Sequence, residues 1–415
     1  MLRTVLDNGI VVLVAENPAA DIIAAKVFVR AGSCYENREK AGLAHLLSAV
    51  MTKGCQGLSS QEIAARVESV GASLSTDAVY DYFVLSMKTI TLDFAEILTL
   101  AGQILRSPTF PENQIELEKK IALQDIRSQK EQPFSLAFEQ IRQAMYQEHP
   151  YAMSVLGNET SMSNLTQADL QQYHQTHFRP DTTVISIAGR ITTEAALKLV
   201  TEIFGDWEVP AASPPVLELP EIPIAPKHCR KSFSTQQSIV MLGYMGPSVN
   251  TPEYAALKVI SSYLGNGLSS RLFVELREKR GLAYEVSAIY STRLFPASFI
   301  VYMGTASENT NVAIQGLHQE VKFLGDRELS AEVIQTAKNK ILGQYALGRQ
   351  TNGQIAQLYG WYETLGLGIE FSDRFPLLIA QVTPQDVLAA ACKYLQAPYL
   401  SLVGPEEIIN LASLY

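Results

Sequence analysis

His45 is the first of six histidines in the chain, and it stands inside residues 41–54, whose sequence is AGLAHLLSAVMTKG. Residues 41–53 have helical character. One helix face can hold zinc when two His stand at i and i+4, and a Glu beside them can take a proton from the zinc-bound water. Here the positions three and four residues after His45 are Ser48 and Ala49. A metal would find one imidazole on this face and no base. Ser48 and His45 could also be imagined as nucleophile and base, but no nucleophile elbow and no orienting acid stand near them in sequence. His174 and His177 lie three apart on a predicted helix with no third ligand evident, and read as surface or cap residues. The glycines at 243, 246, 265 and 267 do not follow the strand–glycine–helix order of a phosphate-binding fingerprint.

The elements around these residues form an irregular succession of strands and helices. Residues 9–17 and 22–30 alternate as a strand pair would, and 79–89 reads as a strand. Ser59 and Glu62 have the spacing of a capping box at the start of a helix, and 91–105 carries apolar residues at helical spacing. In the second half, 238–244 is a predicted strand and 252–264 and 269–278 are predicted helices. This order favours α+β layers over a regular βαβ winding. A break falls between Trp207 and Lys231, with six prolines from Pro210 to Pro226. It divides the chain into an N-terminal domain over 1–208, a linker over 209–230 and a C-terminal domain over 231–415.

The halves resemble each other. Thr166 is a predicted N-cap supported by Asp169, and the pattern recurs 217 residues later at Thr383 and Asp386. Each helix leads to a proline and then to a short apolar strand ending in glycine, at Gly189 and Gly404. Similar offsets at several points imply one α+β unit used twice.

Composition removes several function classes. The chain has 415 residues, 47% of them hydrophobic, and 33 basic against 42 acidic residues give a formal net charge of -9. A mildly acidic surface lacks the basic stripe that nucleic acid needs and the polybasic patch that anionic lipid needs. No apolar run reaches the roughly 18 residues of a membrane span, so no membrane insertion is expected. Cys34, Cys55, Cys229 and Cys392 form no CxxC pair and read as reduced thiols. A cytoplasmic location is expected, or a periplasmic one if a signal peptide has been removed.

Residues 41–54 resemble the motif helix of the pitrilysin-type (M16) zinc peptidases, whose pattern is His-x-x-Glu-His. In that comparison His45 matches the first His, Ser48 replaces the Glu and Ala49 replaces the second His. Asp125, 76 residues after Ala49, stands where the family has a Glu ligand. These four are remnants that the resemblance implies to be without function. Around 71–76, Ser75 and Thr76 stand where active members have Asn-Ala at an edge that holds substrate backbone. Residues 267–284 are also similar to the family's C-terminal pattern, in which an Arg and a Tyr seven residues apart bind substrate near the zinc. Arg277 and Tyr284 match that pair. A guanidinium and a phenol can donate to a peptide carbonyl and stabilise the oxyanion of hydrolysis.

The resemblance spans essentially the whole chain. It implies two homologous domains of the M16 (LuxS/metallohydrolase-like) type, each a mixed or antiparallel sheet packed with helices. The pattern is closest to the non-zinc Arg/Tyr subunit of heterodimeric M16B members, similar to the mitochondrial processing peptidase alpha subunit. That implies no cofactor on this chain, zinc on a homologous partner subunit, and peptide substrates. A homodimer is the alternative for the isolated chain. The competing function is a structural or assembly subunit with no peptidase role.

Overall fold

The computed structural model describes residues 1–411 as two compact units. The first contains residues 1–126, 153–219 and 346–372, and the second contains 127–152, 220–345 and 373–415, of which 412–415 lie outside the described residues. The units therefore change over within the proline-rich segment, between Leu219 and Pro220. They are not, however, the contiguous blocks expected on either side of it.

The first unit is built on the strands β1 (Leu2–Val5), β2 (Val11–Glu16), β3 (Ile23–Val29), β6 (Ser73–Ala78), β7 (Phe83–Thr89) and β8 (Thr183–Gly189). A two-stranded ribbon, β4 (Gly54–Cys55) with β5 (Leu58–Ser59), stands apart. The sheet order is β1-β2-β8-β3-β7-β6. The expected pairing of 9–17 with 22–30 does not form, because β8 lies between β2 and β3. All seven residues of β8 are buried, and a strand buried on both faces belongs at the centre of a sheet. It runs parallel to β2 and antiparallel to β3. The hairpin partner of β2 is instead β1, joined through Gly9 at φ 88°.

The second unit contains β9 (His228–Ser232), β10 (Gln237–Gly246), β11 (Glu285–Tyr290), β12 (Ala297–Ala306) and β13 (Tyr399–Gly404), in the order β11-β12-β10-β13-β9. Its one parallel pair is β13 with β9. Read from that pair outward, the two sheets match strand for strand: β2-β8-β3-β7-β6 against β9-β13-β10-β12-β11. The duplication seen in the sequence offsets is thus a duplication of topology. Both capping boxes that marked it are formed, at Thr166 with Asp169 and at Thr383 with Asp386.

Each sheet is covered on one face by helices of its own half and on the other by one helix from the opposite half of the sequence. Helix Pro133–Tyr146 lies on β10 and β13, and helix Asn352–Thr364 lies on β3 and β8. Glycine makes both contacts close. A Cβ on Gly360 would meet the Phe28 ring at 2.2 Å, and one on Gly243 would meet Met145 Sδ at 2.6 Å. Each of these helices belongs to the compact unit of the sheet that it covers, not to the unit of its own half of the sequence.

No single helix among the described residues is long and apolar enough to cross a membrane. One bent pair, Phe371–Gln381 with Pro384–Tyr394, passes on length and hydropathy across a 97° break. The second helix of that pair packs on helices Tyr254–Gly265 and Thr310–Asp326, burying Val387, Ala390 and Ala391.

Candidate functional site

The helix that carries His45 spans Leu43–Met51 and packs on the edge strand β6. It starts from Gly42 at φ 96°, where a Cβ would meet the Leu156 carbonyl oxygen at 2.6 Å, so only glycine fits. The open N–H groups at its start are taken by a buried acid. Glu36 accepts from the N–H of Gly42 at 2.8 Å and of Ala44 at 2.5 Å. Burial pushes the Glu36 carboxyl up to about 8, with those two N–H bonds pulling the other way. Leu46, Leu47, Val50 and Met51 are at most 1% exposed. Each such burial stabilises by roughly 1.5–3 kcal/mol, which anchors the helix whatever its polar face does.

On that polar face His45 is half-buried. Burial lowers its proton affinity, against the opposing pull of Asp77, Asp125 and Glu118. Asp125, which the resemblance puts at the family's ligand position, is near enough for its charge to act on His45, as are two acids that the resemblance did not mark. Glu118 is already engaged with Lys53 at 2.9 Å. Ser48 is buried and gives its hydroxyl proton to the His45 carbonyl at 2.7 Å, while its own carbonyl accepts from Thr76 Oγ1 at 2.7 Å. Ala49 carries no donor atom. Among the described residues no three His, Cys, Asp or Glu side chains are grouped so as to hold a metal ion. The residues present do not fit a zinc ion, and Ser48, whose hydroxyl is closed onto its own helix, has no base to activate it.

Behind this helix the other two histidines singled out from the sequence are not surface groups. His177 is 8% exposed, with its ring against Tyr173 and Tyr35 at 4.3 and 5.1 Å. His174 bonds through Nε2 to the Leu105 carbonyl at 2.8 Å and stacks on Phe178. Burial lowers both to about 4. Helical spacing placed them on one element. It could not show that this face turns inward, against Tyr35 and the Leu105 carbonyl from distant parts of the chain.

Arg277 and Tyr284 sit in the second unit, beside its edge strand β11. Residues Phe273–Glu278 form a π-helical turn in place of the regular helix expected over 269–278. The Lys279 N–H reaches back five residues to the Val274 carbonyl at 3.0 Å. Such turns occur mostly as single insertions, often at functional sites. Gly281, at φ 62°, then reverses the chain, and the Leu282 N–H bonds to the Leu276 carbonyl at 2.9 Å. Tyr284 is fixed at the strand's start by its own N–H, which donates to the Gly304 carbonyl at 2.9 Å. Its side chain is 60% exposed.

Arg277 is also exposed, with its guanidinium carbon 4.9 Å from the centroid of the Phe273 ring. Neighbouring cations are committed: Arg271 binds Glu320 at 2.7 Å and Glu275 at 3.1 Å, and Lys279 binds Glu275 at 2.8 Å. Among the described residues the Arg277 guanidinium makes no ion pair and no hydrogen bond; only the backbone carbonyl is used, accepting from the Gly281 N–H at 3.1 Å. Its five N–H groups remain available to an incoming acceptor.

Besides Asp77 and Glu118, two further residues with a part in this geometry, Glu36 and Phe273, were given no role by the sequence reading. Glu36 stands six residues before the helix start and outside any capping-box spacing, so no local signal marks it. Phe273 lies within residues 267–284, but only the structure shows that its ring lies under Arg277.

Comparison with known proteins agrees with this architecture. Residues 11–159 match the insulinase family (peptidase family M16), and residues 164–341 match the peptidase M16 inactive domain. A Bacillus subtilis protein named uncharacterized zinc protease YmxG is 26% identical over 370 residues, covering 88% of this chain and 90% of that one. A Streptomyces coelicolor protein named as an uncharacterized zinc protease is 25% identical, covering 97% of this chain and 89% of that one. Among solved structures, a peptidase M16 inactive domain protein from Pseudomonas fluorescens superposes with a TM-score of 0.90 at 23% identity, over 97% of this chain and 98% of the other. A Helicobacter pylori protease gives the same TM-score at 19% identity, over 97% of this chain and 99% of the other. These two likenesses are of fold. With both halves matched in order by the family's two domains, the chain belongs to the M16 family of peptidases.

Proposed function

We propose that this chain is the non-zinc subunit of a heterodimeric M16B peptidase, binding peptide substrate through Arg277 and Tyr284 opposite the zinc site of a homologous partner. The observation that carries this reading is the contrast in commitment between two places. The face holding His45 has lost its ligands and base, whereas Arg277 is exposed with every donor free. On this reading the chain binds no cofactor, and the zinc and general base belong to the partner. Arg277 and Tyr284 would donate to the carbonyl oxygen of the scissile bond, where negative charge grows during hydrolysis. Donors fixed in advance on a developing oxyanion are worth most when water is excluded. A cytoplasmic or periplasmic location belongs to the same proposal.

The test is Arg277→Ala in the reconstituted pair. Turnover is expected to fall by about two to three orders of magnitude, the size seen for loss of one oxyanion donor, with assembly unchanged on size exclusion. Unchanged turnover would remove the assigned role and leave the structural or assembly subunit as the better description.

A further inference from the structure

We propose that Phe273 is a positioning residue for Arg277. Its ring would hold the guanidinium face-on, leaving the N–H edges directed at an incoming carbonyl. This inference rests on the substrate-binding reading of Arg277. Its basis is the contact of the guanidinium with the ring inside the π-turn. Residues i and i+4 lie on one face of a helical turn. Phe273 and Arg277 are such a pair, and the 4.9 Å separation places the cation over the ring.

The two faces of a guanidinium have no N–H, since all five donors lie in its plane. Stacking on an aromatic ring therefore restrains the side chain without using a donor, whereas a salt bridge would use one or two. The adjoining charges show that alternative. Glu275, two residues before Arg277, is shared between Arg271 and Lys279. Arg277 is thus left to the ring. A long exposed arginine otherwise loses side-chain entropy on binding, and pre-setting its direction lowers that cost.

A cation–π contact at a partly exposed site corresponds to about a two- to fivefold change in an equilibrium. In the reconstituted pair, with a fluorogenic peptide as substrate, Phe273→Leu is expected to lower kcat/KM by that factor, and Phe273→Tyr to keep it near wild type. The Phe273→Leu change should have no further effect once Arg277 is already Ala, because the ring acts only through the guanidinium. On the isolated chain, the Nε–H resonance of Arg277 should move downfield in Phe273→Leu, as the ring's shielding is lost, and stay in place in Phe273→Tyr.

If the Leu and Tyr variants behave alike, or if Phe273→Leu costs as much on the Arg277→Ala background as on wild type, the inference is overturned while Arg277 keeps its role. If Arg277→Ala itself leaves kcat/KM unchanged, the substrate reading fails, and the resonance alone decides the positioning. An Nε–H signal that does not move in Phe273→Leu then overturns it as well.

Discussion

The helix Leu43–Met51 and the turn Phe273–Glu278 stand at comparable places, each beside the edge strand of its own sheet, yet they have opposite characters. The first is closed. Its start is capped by a buried Glu36, its serine is bonded back onto the helix, and its histidine is half-buried among acids. The second is open, with Arg277 and Tyr284 exposed and the arginine restrained only by a ring. A catalytic scaffold can lose its ligands and persist, because the apolar face of the helix supplies its stability independently of the polar face. The open turn has no such packing interest in Arg277 or Tyr284, and binding is the simplest use for exposed, uncommitted donors.

The strongest way to test the contrast is to reopen the closed site. Ser48→Glu, Ala49→His and Asp125→Glu together restore the family's ligands and base. The triple variant is expected to hold one zinc per chain after dialysis, by atomic absorption, where the wild type holds none. A folded triple variant that still holds no zinc would mean that the scaffold, and not only the ligands, has changed.

A smaller effect is expected at Glu36. Replacement by Ala leaves two buried N–H groups without acceptors, which costs about 2–4 kcal/mol in urea unfolding. The pH dependence carries a definite sign. Because the folded carboxyl is raised to about 8, its contribution is fully present below the unfolded carboxylate range and is lost as pH rises toward 8. The melting temperature of wild type relative to Glu36→Gln should therefore fall between pH 5 and pH 8. A difference that is flat over this window would show that the carboxyl is not raised.

The smallest effect on stability belongs to the open segment. Arg277→Ala and Tyr284→Phe should each stay within about 0.5 kcal/mol of wild type, since neither side chain is buried. A larger loss in either variant would give that residue a structural role and weaken the contrast.

Much of the fold could be read from the residues. The offsets between Thr166 and Thr383 and between Gly189 and Gly404 mark a duplication, and the two strand orders repeat it. Local signals worked where the physics is local, as at the capping box of Ser59 with Glu62. They failed where distant chain decides the outcome. Nothing near residues 9–30 announces that β8, more than 150 residues away, will part β2 from β3. Nothing in helices Pro133–Tyr146 and Asn352–Thr364 says that each will cover the sheet of the opposite half. At the site, the resemblance to the M16 motifs led to His45, Ser48, Ala49, Asp125, Arg277 and Tyr284. Asp77, Glu118, Glu36 and Phe273 emerged only from tertiary structure, because they act through proximity or backbone geometry rather than through a spaced pattern.

The most direct measurement compares peptidase activity and zinc content of this chain alone, of a homologous subunit with an intact His-x-x-Glu-His motif alone, and of the two mixed. Activity is expected only in the mixture, with zinc only on the partner and turnover lowered when Arg277 is Ala. One zinc per chain on this protein in isolation, or peptide hydrolysis by it without a partner, would contradict the proposal.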